Sequence, residues 1–373
     1  MKILEVVNNL AAGGGQRFVV DLSNSLYKNG QDVSVFTFRA DIDNGLFYKD
    51  ELSEGVRLIN RHGNCKLLSK IAQIFSVAKV LWTEKPDIVH CHILGLPYVI
   101  IPSLIMRKTQ FFYTVHNEAA KDTAPGISSW LRKTFLKKRI HAVTISKHCA
   151  KTFLDYYGYE PSAMIENGCR ELSVTQELSA VQNEINSYKK SPATKVFVNI
   201  ARISEQKNHK LLIEAFNKLL EEGADAVLLV IGDYRGADRI MSVLRPMIKT
   251  DRILFLGTKH NVVDYLNATE FFVLSSAWEG LPISVLEAGL SGCYPVCTPV
   301  GGIPDVIVDE TWGLLSKDLT IEEFVTTLKT SMTKNIDRQS LKQKYESRYL
   351  MSLCAKKYAS LFNNYLNHGK TKV

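Results

Sequence analysis

Short runs of β-branched and aromatic residues alternate along the chain with stretches whose apolar positions recur every three or four residues. KILEVVN, DVSVFTF, DIVHCH, FFYTVHN, HAVTIS and AMIENG read as strands, and RFVVDLSNSLYKNG, between the first two, reads as an amphipathic helix. Strands joined by helical crossovers build a parallel sheet. After Gly168 the alternation lapses into SVTQELSAVQNEINSYKKSPATK, polar and helix-compatible, which reads as a linker. It resumes with VFVNIAR, AVLLVIGD, RILFLG, EFFVLSS and YPVCTP. The pattern predicts an α/β fold of two Rossmann-like, doubly wound parallel-sheet domains, residues 1–172 and 173–354, with a last helix at about 355–373 packing back on the first. Open α/β sheets bind ligands at the carboxyl ends of their strands, and two such sheets facing one another offer a cleft.

Composition narrows the class. With 373 residues, 46% hydrophobic and 23% charged, the chain has the balance of a folded, water-soluble protein and exceeds the size of one core. Its longest apolar run, LGLPYVIIPSLIM (Leu94 to Met106), has 13 residues and two prolines, short of the ~20 that span a bilayer, and reads as buried core. The N-terminus runs straight into a strand pattern and lacks the apolar region of a signal peptide, so a cytoplasmic location is expected. Seven cysteines at scattered positions fit neither a disulfide framework nor a zinc site; reduced, mostly buried thiols are expected. The net charge of +8 is uneven: residues 1–170 carry 22 Lys and Arg against 15 Asp and Glu, the remainder 24 against 23. Part of the excess is Arg132, Lys133, Lys137, Lys138 and Arg139 in WLRKTFLKKRI, with Trp130, Leu131, Phe135 and Leu136 as an apolar stripe. Such a helix either lies on anionic lipid, at the inner face of the cell membrane, or packs its stripe on the core with its cations solvated. No interleaved basic and aromatic strand supports nucleic-acid binding.

Candidate chemistry falls at strand ends. Gly13, Gly14 and Gly15 lie between the first strand and helix, where a backbone free of side chains and helix N–H groups can approach a phosphate. The spacing is not GxGxxG and no acid ends the second strand, which argues against a nicotinamide dehydrogenase. Arg202 and Lys207, in ARISEQKN, can bind a diphosphate and stabilise it as a leaving group. Gly232, closing AVLLVIGD, is a further donor-site candidate. In WEGLPISVLEA, Glu279 and Gly280 form a turn, Pro282 suits the first turn of a helix, and Glu287 lies inside it, an arrangement suited to gripping two parts of one elongated ligand. His90 and His92 alternate on one strand; a metal pair is conceivable, but no third ligand is evident. His116 ends the next strand and can donate to a substrate hydroxyl or carbonyl. Asp41-Ile42-Asp43 matches a DxD motif but reads as a surface loop.

Taken in order, GGGQRF, TVHN, ENG, ARISEQKN, EGLPISVLEA and PVGGIPDVI resemble the retaining glycosyltransferases of GT-B fold often called family 4, whose E-x7-E motif falls on Glu279 and Glu287. The resemblance covers nearly the whole chain. It implies transfer of a sugar, with retention, from a nucleotide sugar, UDP-linked favoured over GDP-linked, to a glycan or lipid-linked glycan in bacterial-type surface polysaccharide assembly, without metal or other cofactor. Arg202 and Lys207 would neutralise the diphosphate and Glu287 would hold the ribose. Glu279 and the backbone of Gly280, Leu281, Pro282 and Ile283 would hold the donor sugar. Gly14 and Gly15 would approach the donor, and His116 would contact its sugar near the reacting centre. Cys169 departs from the family, which more often has an aliphatic residue there. A nucleotide-sugar epimerase of similar fold, a transferase using a soluble small-molecule acceptor and a catalytically silent subunit are the alternatives.

Overall fold

The structure, a computed structural model, describes residues 1–39, 45–60, 69–121 and 127–370. Asp41-Ile42-Asp43 and Cys65 lie outside the described residues, as do the side chains of Trp130, Leu131 and Phe135. The chain divides into two compact units: Met1–Arg170 together with the chain from Met351 onward, and Glu171–Leu350.

The first unit holds strands β1 (Lys2–Val7), β2 (Asp32–Thr37), β3 (Arg57–Asn60), β4 (Ile88–His92), β5 (Gln110–Val115), β6 (Ile140–Thr144) and β7 (Ala163–Met164). They form one parallel sheet in the order β3-β2-β1-β4-β5-β6-β7. Alternation along each strand sorts side chains between its faces. Leu4, Val6, Val89, Cys91, Phe111 and Tyr113 enter an apolar cluster with residues of the helices Ser69–Glu84 and Leu96–Ile105, such as Val77, Leu81 and Val99. Glu5, His90, His92 and Thr114 lie on the other face, against Phe18 of the helix Gly14–Lys28 and Tyr358 of the final helix, Met351–Lys370. That helix is anchored where the chain re-enters the unit: Met351 N–H donates to the carbonyl of Cys169 at 2.7 Å.

The second unit holds β8 (Lys195–Ile200), β9 (Ala226–Ile231), β10 (Ile253–Gly257), β11 (Phe271–Leu274), β12 (Tyr294–Cys297) and β13 (Leu314–Leu315), parallel and in the order β10-β9-β8-β11-β12-β13. In each sheet the strand order reverses once, beside β1 and β4 in the first and beside β8 and β11 in the second. Such a reversal opens a crevice at the carboxyl ends of the strands.

Three readings of the sequence need correction. The stretch read as a linker contains the helix Leu178–Ser187, which packs on the helix Val262–Ala268 of the second unit. Val181 and Ile185, four residues apart on one helical face, are buried. Thr175 N–H donates to Asp264 at 2.7 Å, and Tyr265 donates to Glu184 at 2.7 Å. LGLPYVIIPSLIM is only half core: Leu96, Val99 and Ile100 are buried, but Ile101, Leu104 and Ile105 face outward from the same helix. In the basic helix Ile127–Arg139, Arg132 is buried, and Arg139 donates to the carbonyls of Ser103, at 2.8 Å, and Met106. Arg132 is therefore not on a free surface, and Arg139 holds the fold. The six described cysteines are free and buried.

Candidate active site

In the second unit the loops following β8 and β11 are sewn together. Ser275 Oγ donates to the carbonyls of Lys207 and Asn208 at 3.1 Å each, and Ala277 N–H donates to that of Gln206 at 2.8 Å. Asn208 takes a left-handed conformation, φ 47° and ψ 50°, and caps the helix His209–Glu221 with its side chain. An asparagine tolerates that conformation far better than a bulky residue, so the chain can turn sharply there.

Glu279 is the hub. Only 4% exposed, it accepts from Lys207 Nζ at 2.5 Å and Ser276 Oγ at 2.6 Å on one oxygen and from Gln206 Nε2 at 3.2 Å on the other. A carboxylate can be buried at tolerable cost only when paired and hydrogen-bonded in this way. Behind it Gly301, at φ +59°, lies so close that a Cβ would stand 1.9 Å from the Glu279 carbonyl, and Gly302 N–H donates to the carbonyl of Gly280 at 2.8 Å. The GGIPD turn thus fixes the backbone of the E-x7-E loop. Pro282 is the N-cap of the helix Ile283–Leu290, one position earlier than the pattern suggested, and Glu287 is buried in its middle turn.

Arg202 follows β8, is exposed, and has no hydrogen bond or ion pair among the described residues. Lys207, instead of standing beside it as a second free cation, is paired with Glu279. Gly232 has a structural reason to be glycine, because a Cβ there would meet the Ala201 carbonyl at 1.9 Å. Gln206 and Ser276 carry little signal in the sequence. Their only signal is adjacency, one residue before Lys207 and three before Glu279.

In the first unit the corresponding crevice gathers the glycine loop after β1, the end of β4 and the end of β5. The helix begins at Gly14, and a Cβ on Gly15 would lie 3.0 Å from Ile93 Cδ1. Ile93 has φ +49°, a strained value for a β-branched residue, immediately after His92. Arg17, the cation of GGGQRF, is held by Asp21 and Glu51 and lies under the Tyr48 ring, so it serves packing.

The histidines do have an acidic companion. Glu5, paired in register with His90, meets His92 Nε2 at 2.7 Å and His90 Nδ1 at 3.0 Å with the same oxygen. Burial would raise the Glu5 carboxyl, but His90 and His92 outweigh it and hold it at about 2. Burial, and then His90, push the His92 ring down to about 4. His92 Nδ1 meets His116 Nε2 at 3.0 Å, and burial, then His92 and His90, holds His116 well below the usual histidine range. Contacts of 2.7 and 3.0 Å are hydrogen bonds.

Two parallel-sheet units with these strand-end loops define the GT-B fold of glycosyltransferases. The structure of HepE from Anabaena in complex with UDP and glucose superposes with a TM-score of 0.81 at 15% identity, covering 98% of this chain and all of that one. The description Glycosyltransferase Family 4 matches residues 12–170, and Glycosyl transferases group 1 matches residues 181–348. The chain belongs to the family 4 type of glycosyltransferases. It is 26% identical to the UDP-Gal:alpha-D-GlcNAc-diphosphoundecaprenol alpha-1,3-galactosyltransferase of Escherichia coli, over 71% of each chain. It is also 25% identical to an uncharacterized glycosyltransferase of Methanocaldococcus jannaschii, over 58% of this chain and 57% of that relative's length. Among the described residues no helix is long and apolar enough to cross a membrane.

Proposed function

We propose that this protein transfers a sugar from a nucleoside-diphosphate sugar, UDP-linked in preference to GDP-linked, to a lipid-linked glycan, with retention at the anomeric carbon and without a metal ion. The observation that carries the reading is the Lys207–Glu279 pair with Gln206 and Ser276 at the β8–β11 reversal, beside an exposed Arg202. Departure of a diphosphate needs positive charge and positioning. Lys207 and Arg202 supply the charge; Glu287 holds the ribose, and Glu279 with the backbone from Gly280 to Ile283 holds the sugar. Glu279, tied down by three donors, suits binding better than nucleophilic attack. By the family resemblance, Gly14 and Gly15 approach the donor and His116 touches its sugar. Support for a uridine donor and a polyprenyl-diphosphate acceptor comes from the Escherichia coli relative's name and from the UDP complex of the structural neighbour.

The acceptor would be met at an anionic membrane surface. What supports this is exposed apolar surface on two packed helices of the first unit: Phe75 and Trp82, seven residues apart on one, are 71% and 70% exposed, and Ile105 on the other is 66% exposed. The helices Ser69–Glu84, Leu96–Ile105 and Ile127–Arg139 pack one on the next; their only acid, Glu84, is paired with Arg57 and Lys2. Lys79, Arg107, Lys108, Lys137 and Lys138 are exposed nearby in sequence. Exposed aromatic and aliphatic groups, with cations that pair with no acid among the described residues, suit a headgroup boundary.

A thermal-shift panel of UDP, GDP, ADP and NAD with common sugar conjugates tests the donor, because a ligand of the folded state raises its melting temperature. Stabilisation by UDP and its sugars is expected. A response to NAD alone would overturn the reading. An epimerase would convert the donor sugar without any acceptor, which product masses distinguish.

A further inference from the structure

The buried acid of the first unit has no part in the reaction as proposed above, yet it governs a residue that does. Glu5 is ionised and can only accept hydrogen bonds. His92 Nε2, 2.7 Å from its oxygen, must therefore carry the proton. His92 is neutral, so its Nδ1 is a bare lone pair, and that lone pair faces His116 Nε2 at 3.0 Å. Two lone pairs cannot face each other at that distance, so His116 carries its proton on Nε2. Neutral in its turn, His116 is left with an unprotonated Nδ1. Phe18 holds both rings edge-on, with centroids 6.0 Å from His92 and 5.4 Å from His116.

We propose that Glu5 is a positioning residue which, through His92, locks His116 in the tautomer whose Nδ1 accepts a hydrogen bond, so that His116 takes a sugar hydroxyl as donor and cannot donate to a carbonyl or phosphate oxygen. The inference rests on the proposed sugar contact of His116 for its functional half, while the lock itself belongs to the protein alone. It reverses the expectation that His116 donates. A second branch leaves the same acid: His90 Nε2 meets Thr114 Oγ1 at 2.7 Å, which meets the Tyr358 hydroxyl at 2.9 Å. That branch runs away from His116 and serves as an internal control.

The test is a two-bond proton–nitrogen correlation spectrum of the full chain labelled with [15N]histidine, at neutral pH and without substrate, His116 being identified by its loss in His116→Ala. His92 and His116 are expected with protonated Nε2 and bare Nδ1. In Glu5→Leu, which removes the obligate acceptor at similar volume, both rings should flip, leaving His116 with its proton on Nδ1; in Tyr358→Phe neither should change. A wild-type His116 protonated on Nδ1, or on both nitrogens, overturns the lock even if Glu5→Leu does not fold. So does an unchanged His116 in a folded Glu5→Leu variant, or a flip in Tyr358→Phe. With whichever UDP-sugar stabilises the chain, Glu5→Leu and His116→Ala should each lower kcat/KM about tenfold, the worth of one hydrogen bond. Their combination should be no worse than either. Full activity of His116→Ala with the expected spectrum would sink the sugar contact and leave the lock.

Discussion

Lys207 holds two relationships at once, an ion pair with Glu279 and a proposed one with the departing diphosphate. Lys207→Ala should lower turnover by roughly 10²–10³-fold, the ~2.7–4 kcal/mol lost when one preorganised donor is removed. It should also lower unfolding free energy by about 3 kcal/mol, because Glu279 keeps its burial but loses its counter-charge. Product mass analysis and urea unfolding separate the two effects, and near-normal turnover would take Lys207 out of the mechanism. Glu287→Ala should raise KM more than it lowers kcat; the reverse would mean that the two acids have exchanged roles. His209, buried and donating toward Asn199 at 3.1 Å, is pushed down to about 4 by burial and then by Lys207. The folded state then binds fewer protons than the unfolded one between about pH 6.5 and 4, so stability is full above that window and falls on acidification. The fall assigned to this ring is about 3 kcal/mol. Urea unfolding of His209→Gln should show a shallower loss between pH 7 and 4. Arg202, Lys207, Glu279 and His116 stand out in the sequence as candidates because each follows a recognisable strand. Glu5 could not: it lies inside a strand, and its partner His90 stands 85 residues away, brought opposite by a register that only the sheet establishes.

Among elements, the aromatic and aliphatic runs of β5 and β9 announce themselves, because parallel strands covered on both faces are nearly all apolar. β3, RLIN, does not: it is four residues long with polar ends and sits at the sheet edge. The helix Leu178–Ser187 looked like a linker because half its surface is solvated and only Val181 and Ile185 mark its buried face. The helix Leu96–Ile105 misleads the other way, apolar all round though only one side is packed. Its outer side and that of Ser69–Glu84 set the membrane prediction. The chain should co-sediment with phosphatidylglycerol-containing vesicles at low salt, and Trp82→Ser with Ile105→Ser, or Lys137→Ala with Lys138→Ala, should weaken that binding at least several-fold without lowering the melting temperature. Equal binding to neutral vesicles, or no effect of either pair, would remove the membrane face. Arg139 is unsuitable for such a test, since its substitution frees the carbonyls of Ser103 and Met106.

At the scale of the molecule, the second unit is an insertion within the first. The final helix supplies Tyr358 and Phe362 to the face that carries His90 and Phe112, with ring centroids 5.0 Å apart for Tyr358 and His90 and 4.7 Å for Phe112 and Phe362. Losing two such buried rings costs about 3–5 kcal/mol each, much of a domain's whole stability. A chain ended after Leu350 should therefore lose protease resistance in residues 1–170 first, which mass mapping of the fragments would reveal. The same connectivity orders events during synthesis. Everything the second unit needs has emerged from the ribosome by Leu350, whereas the first, begun earliest, must wait with its histidine-bearing face open until the residues beyond Met351 appear. For that interval the nascent chain carries a finished unit tethered to an unfinished one, and that is when a holding chaperone would have the most to grip.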